Sequence, residues 1–386
     1  MKSRICHICS GHTIDDGRVF HRACVSLASE GYDVHLIARG EGLQPFTRKG
    51  VVVHPMPQPR NRMARMMQRR AIAELASALK PDLFHVHEPE LLGPVLARVG
   101  RQPVIWDVHE SYLDVLLDRP WIPKALRPLA RTAWDRRERL LIRRCAGIAA
   151  ATEGVAARYR GLHADVEVIA NVPSMHPDPF DPAALRDGRT CVFTGVLGDN
   201  RGLHETLRAL CILKRRGLRI PLLFAGGSTC YAEQLLREAC TLGIRDQVNY
   251  LGVLTKEEVL RVQNGSSIGL VPHLPYGNNL LAWPVKMLEF MSVALPLVYS
   301  DIPGHKEIVS DSGAGIAVDP TKPEAIADAI EFLVHTPDTA RQMGQAGRRA
   351  VLERLNWEVE SRKLIRLYEK CLAHHPPSSA NPQGFP

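Results

Sequence analysis

A chain of 386 residues has room for two domains or one large α/β domain. Its composition, 45% hydrophobic and 23% charged, is that of an ordinary soluble globular protein, and its formal net charge of +8 is unevenly spread. No apolar run reaches the roughly eighteen residues of a membrane span, and the start, MKSRICHICSG, lacks the features of a signal peptide.

The chain is therefore expected in the cytosol, with its nine cysteines reduced. In chain order, ICHIC, DVHLIA, LFHVH, PVIWDVHE, AGIAAAT and VEVIAN read as strands of a first half. TCVFTG, PLLFAGG, VNYLG, SIGLVP, PLVYS and AGIAV read as strands of a second half. Helical patterns such as 19–30, 65–80, 203–216, 231–242 and 323–335 fall between them. Strand–helix alternation predicts βαβ units and parallel sheets covered on both faces. Cys6 and Cys9 form a lone CxxC inside the first strand; small buried residues are the expected reading, a metal or redox role the alternative.

The stretch Asn171 to Thr190 is rich in proline and carries no hydrophobic period, so it reads as a linker. The expected organisation is a first α/β domain over 1–170, a linker over 171–189 and a second α/β domain over 190–355. A last helix over 356–373 either stays with the second domain or crosses back to the first, and a tail over 374–386 is disordered by composition. Ligands of such sheets gather at the carboxyl ends of the strands, so two facing domains are expected to bind across a cleft.

Two stretches concentrate the positive charge. Arg60 to Arg70 holds five arginines and no acid, and Arg119 to Arg144 holds nine basic residues against Asp135 and Glu138. Both mix charge with Met, Leu, Trp or Ile. They suit amphipathic helices on an anionic membrane surface, or solvated basic faces. Nucleic acid is not an expected partner, because no stacking aromatics interleave the arginines.

AWPVKMLEFMSVALPLVYS, from Ala282 to Ser300, follows a strand and reads as a core helix with two charges in it. Pro284 suits a first helical turn. At 100° per residue Lys286 and Glu289 share one face of that turn, where the helix N-terminus favours anions. A phosphate for Lys286 and sugar hydroxyls for Glu289 explain both charges; an i,i+3 ion pair is the alternative.

PVKMLEFMSVALPLVYSD resembles the second-domain signature of family-four glycosyltransferases, retaining enzymes of the GT-B fold. DDGRVFHRACVSLASEGYDVHLIAR, HVHEPELL, VIWDVHES, TGVLGDNRGLHETLRAL and MGQAGRRAVLERLNWEVE resemble further landmarks of a bacterial polysaccharide branch, in the right order over roughly residues 4 to 370. The resemblance implies two Rossmann-like domains. It implies that Glu289 holds a ribose, that Gly195 opens the phosphate turn, and that the base lies near Gly252 and Val253. His109 would contact the donor sugar and help stabilise the reacting centre, with Asp107 or Glu110 orienting it. His85 and His87 are further candidates, expected as one buried and one outward residue.

Two positions depart from the family pattern. Leu281 stands where a first glutamate is usual, so Asn278 or Asn279 is expected to contact the donor instead. Val196 stands where an arginine is usual, which leaves Arg201 and Lys286 to neutralise the diphosphate. With two cations available, and no DxD-like cluster, neither metal nor other cofactor is expected. Asp15 or Asp16 is expected to cap the first helix; Asp16 is also the candidate on the acceptor side.

The function these features imply is transfer of a sugar from a nucleotide diphosphate to a lipid-linked or oligosaccharide acceptor, in cell-surface polysaccharide or glycolipid synthesis, peripherally on the inner membrane leaflet. A sugar-nucleotide epimerase and a non-catalytic nucleotide-sugar-binding protein are the alternatives. A dinucleotide oxidoreductase is not expected, since no GxGxxG follows either first strand.

Overall fold

Both predicted sheets form. The computed structural model describes residues 2–42, 44–113, 122–175, 177–309 and 311–375, and only the backbone of Lys124, Gly277 and Asn278. The chain divides into two compact units. The first comprises the residues up to Asn171 together with those from Trp357 onward; the second is Val172–Asn356.

The first unit holds strands β1 (Arg4–Thr13), β2 (Asp33–Arg39), β3 (Phe46–Arg48), β4 (Val51–Met56), β5 (Leu83–Val86), β6 (Val104–Val108), β7 (Gly147–Ala150) and β8 (Val166–Val168). Their order is β3-β4-β2-β1-β5-β6-β7-β8, and only β3 runs antiparallel to its neighbour. Strands such as LFHV and VIWDV are buried at every residue, as a sheet covered on both faces requires. The order reverses between β1 and β5, which makes their carboxyl ends the expected ligand position.

The strand pair β3–β4 has no counterpart in the predicted elements. Pro55 masks β4, since proline inside a run argues against a strand. In the structure Pro55 lies opposite Ala38 of β2, beyond the last residue that β3 pairs, at a strand end.

The second unit holds β9 (Cys191–Thr194), β10 (Leu222–Ala225), β11 (Val248–Tyr250), β12 (Ile268–Val271), β13 (Leu297–Ser300) and β14 (Gly315–Val318). The order β11-β10-β9-β12-β13-β14, parallel throughout, is that of a doubly wound nucleotide-binding sheet. Its reversal falls between β9 and β12. Residues 172–175 and 177–189 belong to this unit rather than hanging between elements. Asp178 pairs with Arg348 at 2.5 Å, and Arg186 donates to the carbonyls of Val293 and Ala294.

The Trp357–His374 helix packs on the first unit. Trp357 Nε1 donates to Ser26 Oγ at 2.7 Å, and Glu360 accepts from the Ala170 N–H at 2.8 Å. Leu367 and Cys371 lie against Gly147 of β7.

Candidate active site

At the β9–β12 reversal the chain turns from β9 through Gly195 into a short 3-10 turn, Asp199–Arg201, and then into the Leu203–Arg215 helix. Two glycines make this turn possible. Gly202 has φ +67°, and a Cβ there would stand 1.9 Å from the Pro272 carbonyl oxygen. Gly195 has φ +118°, and a Cβ there would come within 3.1 Å of Lys286 Nζ. Lys286 thus reaches this turn from the Val285–Ser292 helix, whose N-cap is Pro284.

Lys286 Nζ lies 3.7 Å from the centre of the Phe193 ring. It makes no hydrogen bond or ion pair with any described residue. Burial first, and then the nearby Arg201, push its pKa well below the ordinary lysine range, against a smaller opposing pull from Glu289. Burial likewise lowers Arg201, whose Nη1 donates to Asn279 Oδ1 at 3.5 Å. The amide of Asn279 is otherwise committed inside the chain, donating to Asn200 O at 3.1 Å and Leu274 O at 3.0 Å. It holds Arg201 and the turn in place. The side chain of Asn278 lies outside the described residues.

Glu289 sits one turn beyond Lys286 on the same helix. Gly252 accepts from the Gly226 N–H at 2.9 Å, and Val253 beside it is 78% exposed. Val196 is exposed and Leu281 partly buried.

Sequence reasoning missed two histidines beside this cluster. His273 and His305 are buried with ring centres 5.3 Å apart, and His273 Nε2 and both ring nitrogens of His305 have no hydrogen-bond partner among the described residues. Burial, with the charges of Lys286 and Arg201, pushes His305 down to about 3; burial, Lys286 and His305 lower His273 as well. The available signal was position, for VPHLP and PGHKE each follow a strand's carboxyl end.

In the first unit the carboxyl ends of β1, β5 and β6 gather a second polar cluster. The expectation of one buried and one outward histidine in HVH fails. Residues two apart share a strand face, and His85 and His87 are each 1% exposed, with stacked rings 4.6 Å apart. Asp107 Oδ1 accepts from Arg18 Nη2 at 2.9 Å, and its Oδ2 lies 3.3 Å from His109 Nε2. Burial alone would raise the Asp107 pKa, but Arg18 and His109 outweigh it and hold the carboxylate well below its usual range. Burial presses His87 down to about 3.

Glu88 is held ionised too. Burial is opposed by a 2.9 Å bond from His12 and by backbone N–H groups of Ser10, Gly11 and His12, which leave its pKa at about 2. The N-cap of the first helix is Arg18 rather than Asp15 or Asp16, but Asp16 sits just before it, its Oδ1 accepting from the N–H of Arg18 at 2.9 Å and of Val19 at 2.8 Å. Asp15 pairs with Arg48.

Among the described residues, three groups have donor atoms close enough for a metal ion: His7, His85 and His87; Cys9, His12 and Glu88; and His87, Asp107 and His109. The histidine nitrogens among them are largely spent on one another and on carboxylates. Cys6 and Cys9 are buried and free, with burial raising both thiol pKa values.

A cavity of about 900 Å³ opens beside His109 and Glu88. Its walls include Arg62, Met63, Arg65, Met66 and Arg69 from the Arg62–Ala78 helix and Trp134 and Arg137 from the Arg127–Ile142 helix. Most of both basic stretches is therefore helical, while residues 119–121 lie outside the described residues. Met63 and Met67 are 70% and 73% exposed, and Leu129 and Leu140 are exposed on the second helix. No described helix is long and apolar enough to cross a membrane.

Comparison with known proteins matches both units. The family described as Glycosyltransferase Family 4 matches residues 17–172, and that described as Glycosyl transferases group 1 matches residues 177–350. A GDP-mannose-dependent alpha-(1-6)-phosphatidylinositol monomannoside mannosyltransferase of Mycolicibacterium smegmatis is 26% identical over 72% of each chain. A GDP-mannose:cellobiosyl-diphosphopolyprenol alpha-mannosyltransferase of Xanthomonas oryzae is 30% identical over 49% of each. Among solved structures, sucrose-phosphate synthase from Thermosynechococcus elongatus superposes with a TM-score of 0.78 at 18% identity, covering 97% of this chain and 100% of its own. Anabaena HepE, solved with UDP and glucose, gives 0.72 at 12% identity, covering 95% of this chain and 99% of its own. With both halves matched in order and the fold shared along the whole chain, this protein belongs to the family-four glycosyltransferases of the GT-B fold.

Proposed function

We propose that this enzyme transfers a sugar, with retention of configuration and without a metal, from a nucleoside-diphosphate donor to a lipid-linked saccharide. The observation that carries the donor half is Lys286, a partly buried amine with no ion pair among the described residues, placed beside Gly195 and Arg201 at the sheet reversal of the second unit. A buried unpaired charge costs several kcal/mol, roughly, so its natural complement is an anionic ligand. A diphosphate fits, and Arg201 and Lys286 then stabilise the charge that grows on it as the glycosidic bond breaks. On this reading Glu289 binds the ribose, and His109 the donor sugar.

The acceptor half rests on the first unit's cavity. Its walls mix arginines with methionine and tryptophan, a lining that suits an anionic amphiphile. The names of two relatives carry such acceptors, a phosphatidylinositol mannoside and a diphosphopolyprenol. The exposed apolar and basic residues of the same helices then keep the enzyme peripherally on the inner leaflet of the membrane, where lipid-linked acceptors lie.

A thermal-shift panel of UDP-, GDP- and dTDP-sugars tests the donor assignment, with GDP-mannose first because both relatives use it. One nucleotide series is expected to raise Tm in the presence of EDTA as well as without it. No shift with any of them sinks the donor site, and a shift abolished by EDTA sinks the metal-free reading.

A further inference from the structure

We propose that Glu88 is an internal anion filling a phosphate-type nest in the first unit, and that it thereby decides which end of an acceptor the cavity admits. The nest stands on its own geometry. The consequence for the acceptor rests on the cavity being the acceptor site.

The nest begins in β1. From Ile8 to Thr13 this strand advances five residues while its neighbour β2, from Ile37 to Arg39, advances two. The extra residues bulge out of the ladder near the strand's carboxyl end, as strands do where they re-aim groups beside a site. Here the bulge aims three successive backbone N–H groups at one carboxylate. Ser10 donates to Glu88 Oε2 at 2.9 Å, and Gly11 and His12 donate to Oε1, His12 at 3.0 Å. Successive N–H groups turned to one point form a concavity that binds anions. Position 11 has to be glycine for this, because a Cβ there would stand 2.5 Å from Glu88 Oε1.

Glu88 follows β5 and is the N-cap residue of the Pro89–Leu96 helix. Its side chain makes no capping bond to that helix and turns back to β1 instead. The nest therefore lies at the β1–β5 reversal, where an open α/β sheet takes its ligand, and the chain's own carboxylate already occupies it. Gly11, His12 and Glu88 line the cavity of about 900 Å³. Glu90, bonded by Ser10 Oγ at 2.7 Å, adds a second carboxylate to the same floor.

A phosphate brought to this floor would find Glu88 in the place its own oxygens need, and would meet like charge as well. The helical walls offer the opposite. Arg69 and Arg137, one from each basic helix, line the cavity and make no hydrogen bond or ion pair with any described residue. The phosphate of a lipid-linked acceptor then stays among the arginines, and its uncharged sugar approaches Glu88 and His109. Glu88 is a specificity-determining residue on this account and takes no part in bond making.

Calorimetric binding of inorganic diphosphate tests the nest, with Lys286→Met as the background throughout to silence the proposed donor site. Adding Glu88→Ala is expected to tighten diphosphate binding by about tenfold, because the vacated nest takes a phosphate. Equal or weaker binding would overturn the nest. If the alanine variant does not fold in chloride, it is refolded with roughly millimolar diphosphate at constant ionic strength. Recovery with diphosphate alone supports the nest, and no recovery overturns it. Farnesyl diphosphate tests the consequence for the acceptor. With Glu88 present, Arg69→Gln with Arg137→Gln is expected to weaken its binding by about tenfold. Unchanged affinity would overturn the acceptor's orientation and leave the nest standing, and no binding at all would sink the acceptor reading by itself.

Discussion

Lys286 shows how one side chain sets the pH behaviour of a site. Free, its amine is held below the ordinary range by burial and Arg201; a bound diphosphate favours the charged amine. Where the free amine is deprotonated, binding takes up protons, so affinity is greatest below the lowered pKa and declines as pH rises through it. Arg201, Glu289, His273 and His305 share the neighbourhood, but burial and the same cations keep both histidines neutral at neutral pH and above. Lys286→Met is expected to weaken nucleoside-diphosphate binding by about 1.5–3 kcal/mol, the range for a hydrogen bond to a charged group. It should also flatten the alkaline decline. Calorimetric titration in buffers of different ionisation enthalpy checks both, and an unaltered slope in the variant removes Lys286 from the titration. Lys286 and Glu289 were legible from helical spacing in an apolar segment. His273 and His305 were not, because a lone histidine after a strand carries no period, and only the fold brings the two rings together.

At the scale of elements, the proposed donor site depends on a strut. The 3-10 turn Gly277–Leu280 carries Asn279, whose amide ties together the Asn200 carbonyl of the Asp199–Arg201 turn, the Leu274 carbonyl and Arg201. Removing it strands two carbonyls and loosens Arg201. Asn279→Ala is expected to cost about 1–3 kcal/mol in unfolding free energy by urea titration, while the exposed Val196→Ala stays within about 0.5 kcal/mol. Equal stability of the two variants would leave Asn279 without this role. The sequence reading gave Asn278 or Asn279 a direct donor contact, whereas the structure spends the Asn279 amide on the chain itself. Hydrogen bonds between residues 78 or 79 positions apart leave no trace in local pattern. The same holds for β3 and β4, where Pro55 hid a strand that pairing with β2 sustains, whereas the six strands of the second unit were all legible as short apolar runs.

For the whole molecule the leading feature is charge placed next to exposed apolar surface. The Arg62–Ala78 and Arg127–Ile142 helices supply both to one cavity of the first unit. Vesicles containing anionic lipid are expected to sediment the protein at low salt and release it as salt rises, while neutral vesicles leave it in solution. The double variant Met63→Ser, Met67→Ser should weaken sedimentation without changing its salt dependence. Equal sedimentation with neutral lipid, or none with either, would favour a merely solvated basic face.

The return of the Trp357–His374 helix to the first unit also sets a timetable for synthesis. At 5–20 residues per second, the ribosome spends roughly 10–40 s making the second unit before that helix emerges. During that interval Gly147 of β7 lacks the cover of Leu367 and Cys371, and His7 and His85 lack the hydroxyl they share. The second unit, whose strands and helices are contiguous in the chain, is free to fold first. The nascent first unit is the one a chaperone would find unfinished.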